Sequence, residues 1–198
     1  MEVRDQILRE ATRLFARQGF NGTSIQAISD AVGIRKPSLL YHFPSKDALR
    51  VSVLENMLAH WNEVLPRILI AAAGDARFDA VMAELIDFFM ADPDRARLLV
   101  REILDRPEDM RARLQEHVDP WLKVVAQQID RGREQGLMLE DVDSHLYAVN
   151  IINLVVGGIA ALDSLAVLVP EVDGPKLDRH VTELMRFARA GLFGAVAS

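Results

Sequence analysis

Wherever this chain is apolar, it is apolar at helical spacing. Val3, Ile7, Ala11 and Leu14 follow one another at steps of four and three, with Phe15 alongside. Ile25, Ile28 and Val32 resume the pattern after a glycine-containing break, and no stretch sustains the period-two alternation with turn dipeptides that a hairpin needs. The expected fold class is therefore all-α. Helix signals divide it further. Gly19 in "QGFNGTS" stops the first helix, and Thr23 with Gln26 has the spacing of a capping box for a short second one. Ser45 is placed to cap a long helix through Val64 that Pro66 should interrupt, and Asp92 with Pro93 opens another. Residues 106–136 read as one helix kinked at Pro120 and stopped at Gly136. Two more are expected, about Asp143 to Val169 and about Lys176 to Ala195.

A chain of 198 residues with 50% hydrophobic content can bury a real core. It has no cysteine, which excludes disulfides, thiolate metal sites and a cysteine nucleophile and fits a reducing cytoplasm. The N-terminal residues alternate charged and apolar side chains with no apolar h-region, so no export signal is expected. The longest uncharged run, between His145 and Asp163, leaves 17 residues interrupted by Asn150 and Asn153. That is short of the roughly 20 a membrane helix needs, so it reads as buried protein with no membrane partner, its two asparagines hydrogen-bonding between helices. Charge is unevenly spread. Residues 1–50 hold eight basic and five acidic side chains, the remainder 15 and 24, a pattern of a basic head that meets a polyanion and an acidic body that does not.

The stretch "GIRKPSLLYHF", Gly33 to Phe43, gives the head a use. A helix, a glycine turn and another short helix, supported by a preceding helix, is the helix-turn-helix arrangement, whose last helix lies in the major groove. Arg35, Lys36, Pro37 and Ser38 stand at its leading end, where cations donate to guanine edges and proline can touch a thymine methyl. Leu39 and Phe43, four apart, point back into the core, which turns Tyr41 and His42 toward backbone phosphates. Thr23, Ser24 and Lys46 sit at two other helix starts, whose free N–H groups attract phosphate.

Residues 23–49, "TSIQAISDAVGIRKPSLLYHFPSKDAL", resemble the tetracycline-repressor (TetR) family of bacterial transcriptional regulators: the turn glycine, the leucine, Tyr-His-Phe and Ser-Lys-Asp fall in that family's order and spacing. Leu40 departs from it, standing where many members carry an aromatic. The resemblance implies an N-terminal three-helix DNA-binding domain, here residues 1–48, and a larger helical bundle for effector binding and dimerisation, residues 49–198. It also implies a homodimer built mainly from the last two helices and acting on an inverted-repeat operator in double-stranded DNA.

Two further expectations concern the body. Met57 and Trp61 on the long helix, Met82, Leu85 and Phe89 on the next, and Trp121 and Val125 after Pro120 supply an apolar lining for a small apolar or aromatic effector. The helix after Asp143 is apolar around most of its circumference and needs covering on two sides; Gly157, Gly158 and Ala161, with Val181, Leu184 and Ala188 on the last helix, are the expected dimer contacts. Arg101 with Asp105 and Glu102 with Arg106 are spaced as i, i+4 pairs on a solvated face.

The five histidines form no His-x3-His or Glu-x-x-His pair, so no metal or other cofactor is expected. No nucleophile elbow, phosphate loop or dinucleotide fingerprint occurs, which argues against an enzyme. A helical carrier or enzyme whose N-terminal domain is only a scaffold, and an adaptor that binds protein through the same basic face, remain alternatives.

Overall fold

The computed structural model describes residues 2–71, 74–170 and 176–194, with the side chains of 69–71, 74–75 and 176–177 outside the description. Ten α-helices account for nearly all of it, with no strand among the described residues. Three make the head: α1 (Val3–Gly22), α2 (Ile25–Val32) and α3 (Lys36–His42). The body follows as α4 (Lys46–Ala71), α5 (Gly74–Met90), α6 (Pro93–Asp105), α7 (Pro107–His117), α8 (Asp119–Glu134), α9 (Ser144–Leu165) with a 3-10 turn at Ala166–Leu168, and α10 (Lys176–Phe193). Ala195, the expected end of the last helix, lies outside the described residues.

The apolar periodicity becomes one continuous core. Ile7, Ala11 and Phe15 of α1 are fully buried with Ile28, Leu39 and Leu49, and the same core runs through Leu54 and Trp61 to Val155 and Ile159 of α9. Gly19 ends the regular part of α1 with φ 75°, a left-handed value that any other residue would adopt only under strain. There the chain turns into α2.

Four boundaries differ from expectation. The capping box does not form. Ser24 is the N-cap of α2 and accepts from the Ala27 N–H, while the Thr23 hydroxyl turns inward to the Gly19 carbonyl at 2.8 Å. α4 runs through Pro66, which lies on the solvent side, where water can serve the carbonyl its missing N–H leaves without a donor. The single helix expected around Pro120 is interrupted at Val118, which keeps helical dihedrals: Pro120 has no N–H to donate to the preceding turn, so α8 restarts at Asp119 with Pro120 in its first turn.

The fourth is α9. At 22 residues, or 25 with the 3-10 turn, it is long and apolar enough by length and composition to cross a membrane, so the length objection fails. One face, with Ala148, Val155, Val156 and Ile159, packs into the core, chiefly against α6 and α8. The other is open. Leu146, Val149 and Leu154 are exposed, and so are Asn150 and Asn153, whose side chains have no hydrogen-bond partner among the described residues. The expected interhelical bonds of these asparagines within the chain are therefore not made.

Candidate nucleic-acid interface and apolar cavity

α3 is short and held by what lies behind it. Arg35 caps it in extended conformation, Pro37 occupies its first turn, where no N–H is needed, and the turn before it closes on Gly33 with φ 77°. The Gly33 N–H donates to the Asp30 carbonyl and the Ile34 N–H to that of Ser29. Leu39 and Phe43 are buried, so the opposite edge, Arg35, Lys36, Pro37 and Ser38, faces solvent. Tyr41 is 87% exposed, with its ring edge-on to the exposed His42 at 5.6 Å between centroids. An aromatic side chain so exposed, on the outer edge of a helix, is placed for contact with another molecule. Ser24 is exposed too, its hydroxyl proton still available after it caps α2.

Two residues proposed from sequence for phosphate contact have other work. Thr23 is buried, with its hydroxyl spent inside the head. Lys46 folds back: its ammonium donates to the carbonyls of Phe20 and Thr23, both at 2.8 Å, and sits 4.2 Å from the centre of the Phe20 ring. Two of its three protons thus close the corner between α1, α2 and α4. Arg4 lies 5.3 Å over the Phe43 ring.

Head meets body at a buried ion cluster. The Arg50 guanidinium of α4 donates from one nitrogen to Glu102 of α6 at 2.7 Å and Asp109 of α7 at 2.9 Å. Arg113 adds contacts to Asp109 at 3.3 Å and Glu55 at 3.4 Å. Burial works against the Arg50 charge, but its bonds to Asp109 and Glu102 outweigh that and hold its pKa above the ordinary arginine value. Burial likewise penalises the Asp109 charge, and hydrogen bonds from Arg50 and Arg113 overcome it to hold the carboxyl below its ordinary value. Glu102 is therefore no member of a solvated i, i+4 pair with Arg106, which instead stacks 4.4 Å from the Phe20 ring.

The body holds a cavity of about 420 Å³ between α4, α5, α8 and α9. Trp61, Met82, Leu85, Trp121 and Val125 line it as expected, the two indoles 6.0 Å apart between ring centroids. Met57 and Phe89 do not: each is buried one turn away from a lining residue, Trp61 and Leu85 respectively, on the same helix face and past the end of the void. Sequence reasoning missed Phe78, Arg77, Gln128, Tyr147, Ile151 and Ile152 in the wall. Gln128 was readable, since it follows Trp121 by two helical turns on one face of α8. Arg77 donates to Gln128 at 2.7 Å, and the Tyr147 hydroxyl donates to the Ala188 carbonyl at 2.6 Å, its pKa raised by burial.

The expected dimer contacts separate into two groups. Gly157 is open to solvent, and Ala161 and Val181 are half-buried. Leu184 and Ala188, by contrast, are buried inside the same chain, because α10 turns that stripe toward its own core. Gly158 faces inward as well: a Cβ there would stand 3.1 Å from His180 of α10. On the outside of α10 lies Phe187, 57% exposed.

Comparison with known proteins covers both halves. Residues 7–53 match the N-terminal region of bacterial regulatory proteins of the tetR family, and residues 96–166 match a tetracyclin repressor-like C-terminal domain. Over 147 residues the chain is 27% identical to the HTH-type transcriptional repressor NicS of Pseudomonas putida, 71% of this chain and 68% of that protein. It is 44% identical to the HTH-type transcriptional regulator RutR of Escherichia coli over 55 residues, only 28% of this chain and 26% of that one. The fold superimposes on the ketosteroid transcriptional regulator KstR2 of Mycobacterium tuberculosis with a TM-score of 0.75 at 17% identity, covering 97% of this chain and 95% of the other.

Proposed function

The chain belongs to the tetR family of bacterial regulatory proteins, and we propose that it is a cytoplasmic, homodimeric repressor that leaves an inverted-repeat operator when an apolar or aromatic small molecule fills its cavity. Arg35, Lys36, Pro37 and Ser38 read base edges, and Ser24, Tyr41 and His42 hold phosphates. Lys46 fixes the corner behind them and offers its third proton to the backbone. The open faces of α9 and α10, with Leu146, Leu154, Gly157 and Phe187, meet their copies in the partner. The exposed asparagines of α9 find acceptors there.

One observation carries the reading. α4 is a single helix with Lys46 in the head at one end and Trp61 and Leu65 in the cavity wall about 22 and 28 Å along its axis, at 1.5 Å per residue. A ligand wedged between Trp61 and Trp121 therefore pushes on the same rod that carries the head, and changes the distance between the two α3 helices of a dimer. Moving occupancy from 99:1 to 1:99 takes about 5.5 kcal/mol of differential affinity, which two cavities share.

The test is selection of bound fragments from the source genome, followed by gel shift at two salt concentrations. A palindromic site bound with a steep salt dependence is expected. Absence of any duplex binding at low salt refutes the reading and returns the head to a scaffold.

A further inference from the structure

We propose that the cavity selects an amphiphilic monoanion that carries a second hydrogen-bond acceptor about 10 Å from its charged group. The inference deepens the reading of this cavity as the effector site and rests on it.

Among the described residues the wall is charged with one sign only: Arg77 and Arg131 line the cavity and no aspartate or glutamate does. Arg131 and its neighbours Gln135 and Leu137 are the solvent-exposed part of the wall, so the cationic end is the mouth. Arg77 gives one nitrogen to the Gln128 carbonyl oxygen, which fixes the amide and leaves its NH₂ group as a donor beside the two guanidinium groups. A carboxylate here meets donors on three side chains, whereas an ammonium would meet two like charges.

The deeper end carries a different request. The Trp121 indole N–H is buried with no acceptor among the described residues, in a wall otherwise built of Trp61, Met82, Leu85 and Val125. A buried donor left unmade is costly, and a ligand oxygen is the group that would relieve it. Trp121 and Gln128 are seven residues apart on α8, so the two polar requests are about 10 Å apart at 1.5 Å per residue. Between them Val125 presents only apolar surface. The complementary ligand has an acid at one end, an apolar middle, and a carbonyl, ether or hydroxyl oxygen toward the other end.

The experiment is calorimetric titration of the full-length protein, without DNA, with four probes at a pH where the acids are ionised: decanoate, its methyl-ketone analogue with a carbonyl beside the far end, decanol and decylamine. Decanoate is expected to bind about tenfold more tightly than decanol, with decylamine weaker still. The keto acid should gain about a further threefold to tenfold. Arg131→Gln should abolish most of the preference over decanol, and Trp121→Phe should erase the ketone's gain while leaving decanoate within about twofold, a structural loss being excluded by unchanged circular dichroism. Decanol or decylamine binding as well as decanoate overturns the proposal, as does an equal loss for both acids in Trp121→Phe, or binding of none of the four. A gel shift with the keto acid then decides the release reading separately: tight binding that leaves the operator complex intact keeps the cavity chemistry and removes its role in release.

Discussion

Replacing Glu102 with glutamine tests whether the joint between head and body is held by charge. Arg50 is 5% exposed and Glu102 2% exposed, and the 2.7 Å bond between them is one of two carboxylate contacts closer than 3 Å that the guanidinium makes among the described residues. Removing one partner of a buried pair costs about 3–5 kcal/mol, because the other charge stays behind uncompensated. Asp109 remains at 2.9 Å and the glutamine keeps an acceptor oxygen, so the lower end, about 3 kcal/mol, applies here. For a domain of this size that lowers Tm by about 6–12 °C. The assay is thermal unfolding by circular dichroism at pH 7, with the exposed pair Glu183–Arg186 as control through Glu183→Gln, which should leave the melt unchanged. A Glu102→Gln melt within about 2 °C of the parent would refute the reasoning and make the cluster an adornment of an apolar joint. Acid should act on the same place. The Asp109 pKa is held below its ordinary 3.8, so the unfolded chain binds more protons than the folded one. That stability is fully present above the ordinary carboxylate range and is lost as pH falls below about 4 through the depressed value.

Lys36→Ala and Ser38→Ala should change the preferred operator sequence, scored by selection from a random duplex pool; unchanged affinity and preference in both would mean α3 does not read bases. Thr23→Val should cost about 1–3 kcal/mol of stability in denaturant titration, by leaving the Gly19 carbonyl without its buried donor, with operator sequence preference unaltered. Trp61→Phe, chosen over alanine because Trp61 is buried core, should weaken the fluorescence and operator response to cavity ligands while ligand-free DNA binding stays intact. Leu154→Glu with Phe187→Glu should turn a dimeric mass in light scattering into a monomeric one, and a dimer that survives both would place the interface elsewhere.

Periodicity and caps made most helices legible, because a buried stripe and a capping side chain act within one element. Leu39 and Phe43 against Lys36 and Ser38 could be sorted into inside and outside from spacing alone. What escaped was decided between elements. Glu102 looks like the partner of Arg106 on a helical wheel, and only the arrival of α4 puts Arg50 closer. Lys46 looks like a free surface cation until the carbonyls of Phe20 and Thr23 take two of its three protons. Leu184 and Ala188 share one stripe, yet which neighbour covers that stripe depends on how α10 is rotated, which no local pattern encodes. Met57 and Trp61 lie four apart on one helix, but only Trp61 comes level with the void.

The seam expected from sequence, after residue 48, falls inside α4, which has helix on both sides of that position, and the match to the family's N-terminal region likewise ends within that helix. Leu49, Val53 and Leu54 lie past the seam in sequence but are buried in one continuous core with Ile7, Phe15 and Leu39. Anyone grafting this head onto another sensor must therefore carry the first turns of α4 with it. The inheritable part is a head with a handle, and the handle's register determines which way the new body points it.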